Sequence, residues 1–140
     1  MLPADRIEEF LRVASVSGFR VIAAEQGRWP KTIHSGMDTK VDILPEGERP
    51  GSKTNPAPTS IPHPSTMGAD ESTLKYIELP ALIELKIAAG RGRDEADVIE
   101  LMRLNIDQST KIRQHLTAAH PNYVVKFDQL LERTKTEESD

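Results

Sequence analysis

Residues 76–103 read YIELPALIELKIAAGRGRDEADVIELMR, and this stretch decides the fold of the C-terminal half. Pro80 suits the first turn of a helix and Gly90 suits a helix end, so the spacing predicts a helix over residues 79–89. A second helix is predicted over residues 94–105. Its expected buried stripe consists of Val98, Leu101, Met102 and Leu104.

Three charged side chains fall where these two helices should be apolar. At about 100° per residue, Lys86 lies close to the middle of the apolar face of the first helix. Asp94 and Asp97 lie on the same side of the second helix as its apolar stripe. Because a buried lone charge is costly, these groups either pair with one another or line a cleft where a ligand supplies the partner.

Residue types alone leave a structural and a functional explanation open. In the structural one, Asp94 is the N-cap of the second helix, Asp97 stands at its third position, and Lys86 extends its ammonium group to the rim. In the functional one, Arg91 and Arg93 lie on the glycine-containing link. Two guanidinium groups beside a helix N-terminus suit a phosphate.

The N-terminal part predicts a helix and a short sheet. Apolar residues at helical spacing indicate a helix over residues 4–17, and residues 19–24 are rich enough in apolar and β-branched side chains for a strand. Residues 32–35 and 40–45 predict a hairpin across Gly36–Asp38. Residues 46–73 hold five of the ten prolines and have almost no periodicity, so they are either a functional loop or disordered.

The whole chain is therefore expected to have an α+β fold. An N-terminal helix and a short antiparallel or mixed sheet of three or four strands precede a bundle of about four helices, with residues 76–79 as the optional returning strand. The last two helices are predicted over residues 107–119 and 121–134. We expect one domain over residues 1–134, with the proline-rich loop at 46–73 and a frayed tail at 135–140.

The composition excludes several classes of function. The chain of 140 residues has no cysteine, which removes disulfides and thiolate sites, and its net charge of −4 gives no general reason to expect nucleic acid as a partner. A local basic patch stays open. There is no apolar run of about 18 residues and no basic, then apolar, N-terminus, so we expect a cytoplasmic protein without a membrane partner.

Asp42 is the other candidate site residue. Within the strand KVDIL it shares a face with Leu44, so its carboxylate could hold Mg²⁺ or accept a proton. The alternative is an ordinary aspartate on a solvent-facing side. The four histidines are scattered without ligand spacing, which disfavours a zinc site.

The run at 76–103 resembles the C-terminal helical segment of the nucleotidyltransferase-like superfamily, in the branch that includes AbiEii-type toxins. In that branch a helix carries leucines and a lysine, and Arg-Asp-x-x-Asp opens the next helix. The resemblance implies that Lys86 contacts nucleotide phosphates and that Arg93, Asp94 and Asp97 form its supporting charged cluster. VDILPEG resembles the strand with the third carboxylate of that fold, which would be Asp42. The implied cofactors are Mg²⁺ and a nucleoside triphosphate.

Family members also carry an upstream Gly-Ser or Gly-Gly turn and an Asp-x-Asp strand, which bind the Mg²⁺ ions that in-line transfer requires. Only MLP precedes Ala4 in this sequence. A second alignment would make Asp38 and Asp42 the metal pair, but their separation points them awkwardly for one ion on a regular strand.

The sequence thus predicts a truncated or degenerate nucleotidyltransferase-like protein that does not transfer nucleotides alone and retains at most weak Mg²⁺–nucleotide binding. One alternative is an interaction protein, such as a component of a toxin–antitoxin-like pair. Another is an active enzyme whose N-terminal part lies outside this sequence. A homodimer or a partner protein is expected to cover the exposed edge of the sheet.

Overall fold

The computed structural model describes residues 1–22, 29–68 and 76–137, and the chain divides into two compact units. The sheet unit comprises Met1–Glu48 and Ile61–Thr66, and the helical unit comprises Arg49–Ser60 and Met67–Asp140. The predicted single domain over residues 1–134 stays a prediction. The helices and strands are α1 (Ile7–Val16), β1 (Phe19–Ile22), β2 (Lys31–His34), β3 (Thr39–Asp42), α2 (Leu79–Ala89), α3 (Gly92–Leu104), α4 (Ser109–Ala119) and α5 (Pro121–Glu137).

The predicted α+β class is confirmed. An N-terminal helix is followed by a three-stranded antiparallel sheet and then by four helices. The optional fourth strand at residues 76–79 is not formed, since Ile77 makes only an isolated bridge with Gly68 and Leu79 already begins α2. Pro80 in the first turn of α2 favours this early helix start.

The sheet has its strands in sequence order, with β2 in the centre. The predicted hairpin is confirmed: β2 and β3 are antiparallel, and Asp38 in the turn between them adopts a φ of 48°. Aspartate is among the residues that tolerate this left-handed conformation. β1 ends at Ile22, and the rest of the predicted strand, residues 23–24, lies outside the described residues.

The proline-rich segment is ordered over its described part, residues 46–68. The backbone N–H of Gly47 donates to the carbonyl of Ile61 at 2.9 Å, and the N–H of Ile61 donates to the carbonyl of Glu48 at 2.8 Å. These bonds satisfy backbone groups that a free loop would leave to water. Disorder is therefore the wrong alternative for this part, while residues 69–73 lie outside the described residues.

The helical unit is built around α2, which packs against α3, α4 and α5. The bounds of α2 agree with the prediction, whereas α3 begins earlier than predicted, at Gly92, and α5 extends past residue 134 to Glu137. The core of this unit consists of Ala57, Ile83, Ile87, Ala88, Val98, Ile99, Met102, Ile112, Leu116, Tyr123, Phe127 and Leu130.

The predicted apolar stripe of α3 is wrong at one position. Val98 and Met102 are fully buried, but Leu104 is 83% exposed, and Ile99 is buried in its place. The reason is that α3 also packs against α5, which shifts the buried side of the helix toward Ile99.

One buried hydroxyl generates a stability prediction. Thr32, in the central strand, is fully buried, and its Oγ1 has no hydrogen-bond partner among the residues that the structure describes. Because an unsatisfied buried polar group costs about 1–3 kcal/mol, Thr32→Val should raise the free energy of unfolding of the sheet unit by about 1 kcal/mol. The single tryptophan, Trp29, lies in this unit next to β2, so its fluorescence during urea denaturation is the measurement.

Thr134→Val is the matched control for that experiment. Thr134 is equally buried, but its hydroxyl donates to the carbonyl of Leu130 at 3.0 Å, so removing it should not stabilise the helical unit. A loss of stability in Thr32→Val would contradict the assignment of an unsatisfied hydroxyl.

Candidate functional site

The turn between α2 and α3 sets the geometry of the candidate site. Gly90 ends α2 in the left-handed conformation, with a φ of 64°, and its N–H donates to the carbonyl of Lys86 at 3.1 Å. Arg91 then adopts an extended conformation as the N-cap of α3. Glycine is favoured at such a helix end because it has no Cβ to clash. The turn places the last residues of α2 beside the first turns of α3.

Lys86 pairs with both aspartates of α3. Its Nζ donates to Oδ2 of Asp97 at 2.5 Å and lies 3.5 Å from Oδ1 of Asp94. The Lys86 side chain is 28% exposed, and the Asp97 side chain is 38% exposed. The ammonium group is thus held at the rim of the helix pair by two carboxylates of the same chain.

Asp94 is the buried charge of this site, with its side chain only 2% exposed. Arg91 binds it through two hydrogen bonds, from Nε to Oδ2 at 2.6 Å and from Nη2 to Oδ1 at 3.1 Å. Burial raises the pKa of Asp94, but the hydrogen bonds and charge of Arg91, together with the charge of Lys86, outweigh this effect and lower the pKa below its ordinary value. Asp94 is therefore ionised in the folded protein at neutral pH.

The four side chains form a closed ion cluster, defined here as Lys86, Arg91, Asp94 and Asp97. Its two positive and two negative charges cancel. The structural explanation placed Asp94 at the N-cap, but Arg91 is the N-cap and Asp94 is the third residue of the helix. This expectation was wrong because α3 starts at Gly92, which a sequence pattern assigns to the link.

Arg93 stands apart from the ion cluster. It is exposed near the N-terminus of α3, and none of the described residues forms an ion pair with it. Of the three predicted phosphate-binding cations, the structure therefore brings Lys86 and Arg91 together on aspartates and leaves Arg93 on the surface.

Asp42 lies in the sheet unit, at the end of β3. Its carboxylate is 3.2 Å from Nζ of Lys31 on β2, and its side chain is 63% exposed. Mg²⁺ is bound by several oxygen ligands, whereas the group next to the Asp42 carboxylate is the ammonium group of Lys31. Within the described ranges, no three histidine, aspartate or glutamate side chains come together in a group that could hold a metal ion. The described residues around Asp42 therefore do not fit a Mg²⁺ site, and this assignment stays a prediction from the resemblance.

Sequence reasoning missed a buried acidic side chain on α2. Glu84 is buried, and its Oε2 is 2.7 Å from Nε2 of His115 on α4. The composition of α2 could have indicated this burial. A helix with apolar residues on all sides is usually buried on all sides, and a charged side chain on such a helix requires a partner.

No family model, curated protein or solved structure matches this chain. The resemblance to nucleotidyltransferase-like proteins therefore rests on the residues alone. Among the helices of the described ranges, none has the length and apolar character needed to cross a membrane.

The ion cluster predicts a difference between two substitutions of Lys86. In Lys86→Met, Asp94 keeps Arg91 and Asp97 stays partly hydrated, while the methionine keeps the apolar packing of the lysine stem. We expect a change of no more than about 1 kcal/mol in the free energy of unfolding, and a cost about 1 kcal/mol larger for Lys86→Ala, measured by urea denaturation followed by circular dichroism. Lys111→Met, at an exposed position, is the control and should change little. A cost above about 3 kcal/mol for Lys86→Met would show that Asp94 depends on Lys86 more than on Arg91.

The lowered pKa of Asp94 predicts a pH dependence of stability. A carboxyl group with a folded pKa below its unfolded value of about 3.9 contributes stability above that value, and the contribution is lost as the pH falls through the folded pKa. Asp94→Asn should therefore flatten the loss of thermal stability below about pH 4. Asp128→Asn is the comparison, because its hydrogen bond to Arg113 also lowers the pKa of Asp128 at a more exposed place, and its effect should be smaller. Equal acid profiles for wild type and Asp94→Asn would contradict the assignment.

Proposed function

We propose that this chain is a nucleotidyltransferase-like protein that does not transfer nucleotides by itself, and that its ion cluster is a structural element of the helical unit. The observation that carries the proposal is the pairing of Lys86 with Asp97 at 2.5 Å and of Arg91 with Asp94 at 2.6 Å. Of the three cations predicted to bind phosphate, Lys86 and Arg91 are thus already paired with carboxylates of the same chain.

The energetic argument concerns the competition that a phosphate would meet. A triphosphate approaching Lys86 must displace Asp97, a carboxylate of the same chain, and the effective concentration of such a tethered group is in the mM range or above. Arg91 is held more firmly, because releasing it would leave the buried Asp94 with Lys86 at 3.5 Å as its nearest cation. Any nucleotide binding retained at this place is therefore weak.

Calorimetry with nucleoside triphosphate and Mg²⁺ tests the proposal. Wild type should give no resolvable heat at nucleotide concentrations up to about 0.1 mM. Asp97→Asn removes one carboxylate from Lys86 and leaves the ion cluster with a net positive charge, so it should bind nucleotide at least tenfold more tightly than wild type. Glu100→Gln is the matched control: it removes one negative charge from an exposed position on the same helix and should leave binding unchanged.

Tight binding by wild type, abolished by Lys86→Ala, would overturn the closed-cluster proposal and support a working phosphate site. Absence of binding in both wild type and Asp97→Asn would remove nucleotide from the function altogether.

An interaction protein is the second candidate function. Leu104 and Ile106, at the end of α3 and just beyond it, are 83% and 50% exposed. Two large apolar side chains this close in sequence and both exposed favour a contact surface more than isolated ones do. A component of a toxin–antitoxin-like pair, or a homodimer, would use such a surface.

A further inference from the structure

The two sides of the three-stranded sheet differ in the charge that they carry. Residues directly opposite each other in the ladder share a face, and successive residues alternate. Thr32, which is fully buried, is paired with Val21 and Val41, so these three residues share one side of the sheet. Val41 is half-buried there, and Val21 is 39% exposed. The other side, called the basic face, consists of Arg20, Ile22, Lys31, Ile33, Lys40 and Asp42.

The basic face carries more positive than negative charge. Lys31 pairs with Asp42 at 3.2 Å, which cancels one positive charge. Arg20 and Lys40 are both exposed, and neither has an ion pair with any residue in the described ranges. The face therefore presents two cations that no described residue neutralises, although the chain as a whole has a net charge of −4.

The two cations flank an apolar side chain. Arg20 on β1 is paired with Ile33 on β2, and Ile33 is paired with Lys40 on β3. Because neighbouring strands lie about 4.8 Å apart, Arg20 and Lys40 are about 10 Å apart with Ile33 between them. Ile22, on β1, adds a second half-buried apolar side chain to the same face. This spacing is close to the diameter of an α-helix with its side chains, which is about 10–12 Å.

Two features of the basic face disfavour nucleic acid as its partner. Single-stranded nucleic acid is usually held by aromatic side chains on which bases stack, and the strand residues of this face include no aromatic residue. This face also offers only two cations without an ion pair among the described residues, whereas a phosphate backbone is bound by neutralising several phosphates. A protein segment needs neither stacking nor a strongly basic surface.

We propose that the basic face binds an acidic amphipathic helix of a partner protein. The apolar stripe of that helix packs on Ile22 and Ile33, and its flanking carboxylates pair with Arg20 and Lys40. Complementary charge gives the interaction its orientation and its salt dependence, and the isoleucines supply the apolar contact. This inference is independent of the proposed function, because it uses no residue of the ion cluster.

Fluorescence anisotropy with a labelled peptide tests it. The probe is a helical peptide of about 18 residues with leucines at helical spacing and glutamates on both flanks of that stripe. Its sister peptide has lysine in place of every glutamate. Wild type should bind the acidic peptide at least tenfold more tightly than the basic one, and raising the salt from about 50 to about 300 mM should weaken binding severalfold.

Charge reversal locates the binding to the face. Arg20→Glu combined with Lys40→Glu should weaken binding of the acidic peptide at least tenfold. Lys53→Glu combined with Lys111→Glu makes the same change in net charge at exposed positions outside the sheet and should change binding less than twofold. Ile33→Ser should weaken binding with little effect on its salt dependence, and circular dichroism checks that each variant keeps its fold.

Three outcomes would overturn the proposal. The charge-reversed variant could bind as tightly as wild type. The basic peptide could bind as tightly as the acidic one, which would leave only non-specific apolar contact. An oligothymidylate of about 20 nucleotides could bind more tightly than the acidic peptide and depend on Arg20 and Lys40, which would make this a nucleic-acid face.

Discussion

The ionised carboxylate of Asp94 is the constraint on which the helical unit depends. Burying an unpaired carboxylate costs several kcal/mol, comparable with the total stability of a small domain. The forked guanidinium of Arg91 and the ammonium of Lys86 offset this cost only if α3 starts beside the end of α2. The left-handed turn at Gly90 provides that start. The charge cluster and the turn therefore require each other, and a change at either one affects the packing of α2 on α3.

A second consequence concerns the rotation of α2 about its own axis. Apolar residues surround this helix, so apolar contact alone would allow it to pack in several rotations with similar energy. Two charged side chains of α2, Lys86 and Glu84, remove that freedom. Lys86 faces α3 through Asp97, while Glu84 faces α4 through His115. Each pair adds little net stability, but a wrong rotation would bury both charges without partners, and that penalty selects one arrangement.

The sequence predicts this architecture best where the signals are local. Pro80 and Gly90 mark the two ends of α2, and both ends agree with the structure. The turn at Gly36–Asp38 was likewise readable from residue types. The start of α3 could not be predicted in this way. Glycine destabilises the middle of a helix, but Gly92 is the first residue of α3, where it does not prevent the helix from starting. Glu84 was missed because its partner is on a helix 31 residues away in the chain, and periodicity within α2 carries no information about α4.

The candidate site shows why charged residues on an apolar face are ambiguous in a sequence. The pattern that suggests a phosphate site, with lysine and arginine near a helix start, also contains the aspartates that neutralise it. Whether the cations are available to a ligand or paired with these aspartates depends on distances of a few ångströms between neighbouring helices. In this chain the same aspartates that would support a phosphate-binding lysine are its hydrogen-bond partners, at 2.5 Å for Asp97. Arg93, in the first turn of α3, has no such partner among the described residues. A ligand would therefore meet its charge without first displacing a carboxylate.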